Sequence, residues 1–150
     1  MTAYDAAQIS AAFEELVRLY RRLSPAGGLS ATAAATLSSL DRRGPARLTE
    51  LAVQEGVSQP AMTQLITRLQ DAGLAKKAAD PADGRVVLVH ITDAGRAELS
   101  HRRAVRTTRL AALLERLPAN DQEALTAALP AVAELSRKAG KASEPERSTA

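Results

Sequence analysis

Polar side chains of the kinds that recognise base edges cluster at the start of one predicted helix. Ser58 is expected to cap this helix, and Pro60 suits its first turn, where a missing N–H has no cost. Gln and Arg can form paired hydrogen bonds with adenine and guanine in the major groove, and Ala or Thr can contact a thymine methyl group. The candidate DNA-contacting residues of this helix are Ser58, Gln59, Pro60, Ala61, Thr63, Gln64, Thr67 and Arg68.

Two alternatives to base contact stay open for this set. Thr67 and Arg68 could equally reach phosphates, which position a protein on DNA without reading its sequence. The whole set could also face water and contact nothing.

A second charged set lies at the tip of a predicted hairpin. Asp83-Gly84 is a strong hairpin signal, and Arg85 follows it. An arginine at the tip of a thin hairpin can enter a minor groove, where narrow A·T tracts concentrate negative potential. Asp83 is expected to hold this guanidinium by a charge-assisted pair, although that pair could do no more than steady the turn. Lys76 and Lys77, near the base of the hairpin, are candidates for phosphate contacts.

A helix-turn-helix and a hairpin are needed to position these residues. A short helix capped by Thr49 is predicted first, and Gly56 supplies the turn before the helix that Ser58 caps. Gly73 closes that second helix in a left-handed conformation. Its buried stripe is predicted to comprise Met62, Leu65, Ile66 and Leu69. Strands over 74–79 and 86–91 then form a two-stranded wing.

Amphipathic helices flank this unit at both ends of the chain. Apolar residues at helical spacing predict a helix over about 5–23. A helix capped by Ser30 follows, with Leu37 and Leu40 pointing inward. After the wing, Thr92 caps a helix over about 93–117, and a last helix reaches about 138. Its predicted inward residues are Leu125, Leu129, Val132 and Leu135.

The apolar stripes of the first and last helices predict a dimer, because one thin winged unit cannot cover both. Packing of the two stripes on each other within a monomer is the alternative. The polar segment 141–150 is expected to be disordered.

Positive charge is concentrated in the middle of the chain. Of the formal net charge of +3, residues 58–109 hold nine basic and five acidic side chains, whereas residues 1–57 hold six of each. Such a block is a candidate footprint for a polyanion. Within it, Arg102, Arg106 and Arg109 recur at i, i+4 and i+7. They are weak candidates for binding an anionic effector or approaching DNA, and a solvated helix face is the alternative that we favour.

Composition excludes several classes of function. The 150 residues include no Cys and only two His, His90 and His101, so thiol chemistry and multi-histidine metal sites are excluded. Aromatic residues make up 2%, which argues against base stacking. No apolar run is long enough for a membrane span, and no secretory signal is found. We therefore expect a cytoplasmic protein without catalytic residues, cofactor or metal.

The segment 48–99 resembles the winged helix-turn-helix of the MarR family of bacterial transcription regulators. Asp83, Arg85, Ile91 and Thr92 match the family's wing signature, and Gly73-Leu74 and Asp93-Ala94-Gly95 are also typical. The number and order of the flanking helices extend the resemblance to about 5–139. It implies a mainly α fold with a small β-hairpin wing, and a homodimer whose first and last helices interlock.

The residues and the resemblance together predict one domain over 1–150. The winged helix-turn-helix occupies about 30–92, and dimerisation helices occupy about 5–23 and 93–139. The predicted function is a ligand-responsive repressor that binds a palindromic operator in double-stranded DNA and responds to a small anionic or apolar effector. The alternative is a helical protein-interaction module that has lost DNA binding.

Overall fold

The computed structural model describes residues 5–142, and the side chains of residues 5–139. Its elements in chain order are α1 (Ala6–Leu23), α2 (Ala31–Arg43), β1 (Ala46–Arg47), α3 (Leu48–Glu55), α4 (Gln59–Asp71), β2 (Ala75–Ala79), β3 (Val87–Ile91), α5 (Asp93–Leu114) and α6 (Ala119–Ala142). Two compact units divide the chain, one ending at Thr108 and the other beginning at Arg109. Positions 143–150 of the predicted disordered tail lie outside the described residues, and positions 141–142 end α6.

The sheet contains the predicted hairpin and one further strand. β2 and β3 pair antiparallel, with Ala75 opposite Ile91 and Ala79 opposite Val87. β1 pairs with the other edge of β3, so the strand order is β1-β3-β2. The sequence did not reveal β1, because two residues are too few to show the alternation that marks a strand.

A single apolar core holds the first unit together. Leu37 and Leu40 of α2 pack with Met62 and Ile66 of α4, and each is at most 2% exposed. The predicted inward positions of α2 and α4 are therefore confirmed. Each such side chain contributes about 1.5–3 kcal/mol relative to an exposed position. A partly buried hydrogen bond supplements the core, because the Ser39 hydroxyl of α2 donates to Oε1 of Gln54 in α3 at 2.9 Å.

Helix starts follow the capping residues, with one correction. Ser30 and Ser58 accept backbone N–H groups of Ala33 and Ala61, as predicted. The predicted cap at Thr49 is wrong, because α3 begins at Leu48 after an N-cap at Arg47. The backbone N–H of Arg47 donates to Oε2 of Glu50 at 3.0 Å, and this acceptor in the first turn stabilises the earlier start.

The apolar stripes of α1 and α6 are exposed in the single chain. Phe13, Leu16 and Tyr20 of α1 are 37–54% exposed. The residues of α6 that the sequence predicts to point inward are exposed too, Leu129 at 63%. α5 ends at Leu114 instead of 117, and α6 continues past Pro130 to Ala142. None of the helices between residues 5 and 142 is long and apolar enough to cross a membrane.

A short junction joins the end of α4 to the start of α5. The Thr92 hydroxyl donates to the carbonyl oxygen of Gly73 at 2.6 Å and accepts the N–H of Gly95 at 3.1 Å. The backbone N–H of Thr92 also donates to the carbonyl of Leu74 at 3.1 Å. Thr92 thus caps α5 as predicted and, in addition, holds the chain that leaves α4.

Gly95 belongs to this junction because no side chain fits there. A Cβ atom on Gly95 would overlap the carbonyl oxygen of Leu74 and lie 2.7 Å from Cγ1 of Ile91. We expect Gly95→Ala to destabilise the fold by about 2 kcal/mol or more, because the contacted carbonyl is backbone and cannot rotate away. Urea unfolding followed by circular dichroism measures this change.

Gly84→Ala is the matched control. No atom of residues 5–139 lies within 4 Å of a Cβ built on Gly84, and its φ is not positive. This variant should stay within about 0.5 kcal/mol of the parent. Equal stability of the two variants would contradict the close-packing explanation for Gly95.

Candidate nucleic-acid interface

α4 has a buried face and an exposed face. Met62, Leu65, Ile66 and Leu69 are 0–8% exposed and anchor the helix to the core. The Ser58 cap starts the helix so that the predicted contact residues lie on the opposite face. All of them are exposed, namely Ser58, Gln59, Pro60, Ala61, Thr63, Gln64, Thr67 and Arg68. The structure therefore brings this predicted set together on one outward surface.

Hydrogen bonds within α4 determine which of these side chains keep free donors and acceptors. The Thr63 and Thr67 hydroxyls donate to the carbonyls of Gln59 and Thr63, each at 2.9 Å. Their hydrogens are therefore already used, and each keeps an acceptor oxygen and a methyl group. Arg68 Nε donates to the Gln64 carbonyl at 3.4 Å, so Arg68 folds back along its helix.

Gln59 and Gln64 have side-chain amides that stay uncommitted among the residues described. Each amide keeps both its N–H₂ donors and its carbonyl acceptor, and each side chain is exposed. This is the group that pairs with the N6 and N7 atoms of adenine. The two glutamines are thus the residues of α4 best suited to base contact.

The wing tip is a loop of seven residues, 80–86, closed by backbone bonds. The N–H of Asp80 donates to the carbonyl of Val86 at 2.8 Å, and the N–H of Val86 donates to the carbonyl of Asp83 at 3.0 Å. Oδ1 of Asp83 accepts the backbone N–H of Arg85 at 3.1 Å. The loop therefore presents Arg85 at an exposed position.

The predicted ion pair between Asp83 and Arg85 is wrong. No carboxylate within the described part of the chain lies within ion-pair distance of the Arg85 guanidinium. Asp83 bonds the backbone of Arg85 because an Asp two residues before an N–H forms a local turn at low cost. The guanidinium is left available for a phosphate or a groove.

The two lysines of the wing diverge. Lys76 pairs across the sheet with His90, and Lys77 with Val89, so the two side chains project from opposite faces. Both are exposed. Only one of them can therefore face a given ligand surface. Nε2 of His90 is buried, and no residue in the described part of the chain forms a hydrogen bond with it.

The three arginines of α5 lie in three different environments. Arg102 is 6% exposed, so the solvated-face interpretation is wrong for this residue. The Arg106 guanidinium lies 4.4 Å from the centre of the Tyr20 ring, a cation–π contact with α1. Arg109 is exposed. Their predicted joint role in binding an effector stays a prediction.

A cavity of about 380 Å³ lies in the first unit beside the C-terminal half of α4. Leu65 and Leu69 of α4 and Ala33 of α2 form apolar wall, and Arg68 and Glu98 add one charge of each sign. Its size fits a small molecule.

In residues 5–139, no group of three or more His, Cys, Asp or Glu side chains could hold a metal ion.

Sequence reasoning missed the side chains that hold α5 against α2. Arg96 pairs through Nε with Asp41 of α2 and through Nη1 with Asp93, both at 3.2 Å. The pair to Asp93 follows from i, i+3 spacing on a helix. The pair to Asp41 spans 55 residues, and no spacing rule connects such distant positions.

Comparison with known proteins agrees with this geometry. The MarR family model matches residues 29–87. An HTH-type transcriptional regulator of Mycobacterium tuberculosis is 37% identical over 112 residues, which is 75% of this chain and 76% of the relative. A transcriptional regulator of Pseudomonas aeruginosa has a TM-score of 0.75 at 25% identity, covering 88% of this chain and 92% of that one.

A ligand-bound structure shares the fold. The PcaV regulator of Streptomyces coelicolor, solved with its natural ligand, has a TM-score of 0.50 at 23% identity, over 91% of this chain and 99% of that one. The chain belongs to the MarR family and is a DNA-binding transcription regulator with a winged helix-turn-helix. Its relatives are transcriptional regulators, which is a non-enzymatic role.

The Asp83 geometry yields a test of how the wing works. Asp83→Ala removes the acceptor for the Arg85 N–H, so we expect weaker DNA binding even though a negative charge is lost. Asp83→Asn is the control, because its amide oxygen can accept the same N–H. It should bind at least as tightly as the parent. Fluorescence anisotropy on a labelled operator measures both, and tighter binding by Asp83→Ala would show that charge outweighs turn geometry.

Proposed function

We propose that the protein is a homodimeric repressor that reads a palindromic operator with α4 and the wing. The observation that carries this proposal is the exposed face of α4, where Gln59 and Gln64 keep uncommitted amides beside a wing whose Arg85 has no ion-pair partner among the described residues. α4 would enter the major groove and Arg85 the minor groove. Lys76 would add a phosphate contact.

The dimer is supported by exposed apolar surface in each unit. α1 exposes Ile9, Phe13 and Leu16, and α6 exposes Leu129 and Leu135, each by more than a third. Contiguous apolar stripes of this kind mark interaction surfaces in stable proteins. We propose that residues 5–23 and 93–139 form the dimer and that about 30–92 form the DNA-binding part. Two-fold symmetry would then place the half-sites about 34–36 Å apart.

Repression would follow from occupancy of a promoter, and an effector would relieve it. The cavity beside α4 supports this, because a molecule bound there would touch the helix that carries Gln64 and Arg68. Such an effector must bind the DNA-incompetent arrangement more tightly than the competent one. The natural ligand of PcaV is consistent with ligand response on this fold. We further propose that the protein acts in the cytoplasm and has no catalytic activity.

The roles of α4 and the wing can be separated by affinity for two DNA sequences. Gln64→Ala should cost about 1–3 kcal/mol on the preferred operator and less on scrambled DNA, because it removes a base contact. Arg85→Ala should weaken both and lower the salt dependence by about one unit. Binding isotherms at several salt concentrations measure these effects.

Gln70→Ala is the control on the same helix, since Gln70 is half-buried on its last turn. It should leave the preference for operator over scrambled DNA unchanged. Absence of DNA binding by the folded parent protein at low salt would contradict the proposed function and favour the interaction module.

The dimer proposal predicts a specific dissociation. Leu129→Glu places a charge in the middle of the exposed stripe of α6, so we expect a monomer at micromolar concentration. Light scattering should give twice the chain mass for the parent. Val53→Glu is the control, because Val53 is 83% exposed on α3, outside the proposed interface. A dimer that persists in Leu129→Glu would exclude α6 from the interface.

A further inference from the structure

The exposed face of α4 presents uncharged side chains along its first half. Residues four apart lie above one another on a helix, so Gln59, Thr63 and Thr67 form one ridge, and Gln64 lies beside it. Positions 58–67 contain no charged residue. This part of α4 can therefore recognise a ligand only through neutral hydrogen bonds and methyl groups.

A glutamine amide distinguishes adenine from guanine in the major groove. Adenine offers N7 as an acceptor and its N6 amino group as a donor, so both the N–H₂ and the carbonyl of the amide are satisfied. Guanine offers two acceptors, N7 and O6, which leave the amide carbonyl without a donor. Gln59 and Gln64, whose amides are uncommitted among the residues described, therefore favour adenine.

The threonines of the ridge keep their methyl groups for contact. The hydroxyls of Thr63 and Thr67 donate to the carbonyls of Gln59 and Thr63, each at 2.9 Å, and these bonds favour one rotamer. The remaining acceptor oxygen does not select a base pair, because adenine and cytosine both carry an amino group. The methyl group does, since thymine alone displays a methyl group in the major groove.

Arg68, the cation of α4, is poorly placed for a guanine. It lies about 13–14 Å along the helix axis from Gln59, at about 1.5 Å per residue. Its Nε donates to the Gln64 carbonyl at 3.4 Å, so the side chain follows its own helix. Recognition helices contact bases with their N-terminal residues. The position of Arg68 therefore suits a phosphate, which carries no sequence information.

We infer that α4 reads A·T base pairs. The adenines are read by Gln59 and Gln64. The thymines are read by the methyl groups of Thr63 and Thr67. Arg85 of the wing suits the same target, because A·T tracts narrow the minor groove and concentrate negative potential there. The inference rests on the proposed function, since it takes α4 to lie in a major groove, and it adds which base pairs α4 contacts there.

Selection from a pool of random-sequence DNA duplexes identifies the preferred site of the full-length protein. The selected half-sites should carry A·T pairs at the positions that α4 contacts. Arg68→Ala should bind more weakly and select the same site, because it loses a phosphate contact and no base contact.

Uracil in the selected duplex tests the methyl contacts. Replacing a contacted thymine by uracil in one half-site removes only a methyl group, and binding by the parent should weaken about fourfold. Thr63→Ser and Thr67→Ser keep the hydroxyl but lose the methyl, so each should bind the two duplexes equally at its own contact. Thr126→Ser is the matched control, because the Thr126 hydroxyl makes the same bond on α6, to the Gln122 carbonyl at 2.9 Å. It should respond as the parent does.

7-Deazaadenine in the selected duplex tests the amide contacts. It replaces N7 by a C–H group, so binding by the parent should weaken about fivefold or more at a contacted adenine. In Gln64→Ala the same base change should cause no further loss at the adenine that Gln64 reads, because the two changes remove one interaction. Gln70→Ala should keep the response of the parent.

Three outcomes would overturn the inference while specific binding, and with it the proposed function, stands. In the first, the selected half-sites carry G·C pairs where α4 makes contact. In the second, Arg68→Ala loses a preference for guanine, which would show that Arg68 reads bases. In the third, uracil weakens Thr63→Ser and Thr67→Ser as much as the parent, which would assign the A·T preference to DNA shape. A folded parent without any sequence preference would contradict the proposed function and this inference together.

Discussion

The hydroxyl of Thr92 bonds two parts of the chain that must keep a fixed separation. It donates to the carbonyl of Gly73 at the end of α4 and accepts the N–H of Gly95 in the first turn of α5. Since both ends of the wing also meet here, the direction of α4, the position of the wing and the start of α5 are set together. The sequence shows two separate motifs, Gly73-Leu74 and Thr92–Gly95. In the folded chain these two motifs contact each other.

Geometry, more than charge, organises the predicted DNA-contacting surface. The core holds α4 by Met62 and Ile66, and this leaves the glutamines outside. In the wing, Asp83 acts on the backbone of Arg85, so an acidic residue at the proposed DNA-contacting tip is explained by the turn it stabilises. A residue can thus oppose binding by its charge and favour it by the conformation it supports.

The two arginines of α5 nearest the winged unit show why burial decides the energetic effect of a charge. Arg96 is half-exposed and pairs with Asp41 and Asp93, and such surface pairs contribute about 0.2–1 kcal/mol each. Arg102 is buried and its Nε has no hydrogen-bond partner among the described residues, so it loses more hydration on folding than the half-exposed Arg96 does. The sequence alone does not distinguish these two arginines, because both lie in the same Arg-rich helix.

Local physics let the sequence determine most of the elements and the exposed face of α4. Helix caps and apolar periodicity act within a few residues, so the sequence alone predicts them. Examples are the caps at Ser30, Ser58 and Thr92 and the apolar period of α2 and α4. The resemblance added the wing signature. Tertiary structure alone decided the strand β1, the pairing of Asp41 with Arg96, the burial of Arg102 and the backbone role of Asp83. The first three depend on contacts between distant segments. The last is a local turn, but at this spacing a carboxylate can bond either the backbone N–H or the guanidinium of Arg85, and only the folded loop decides between them.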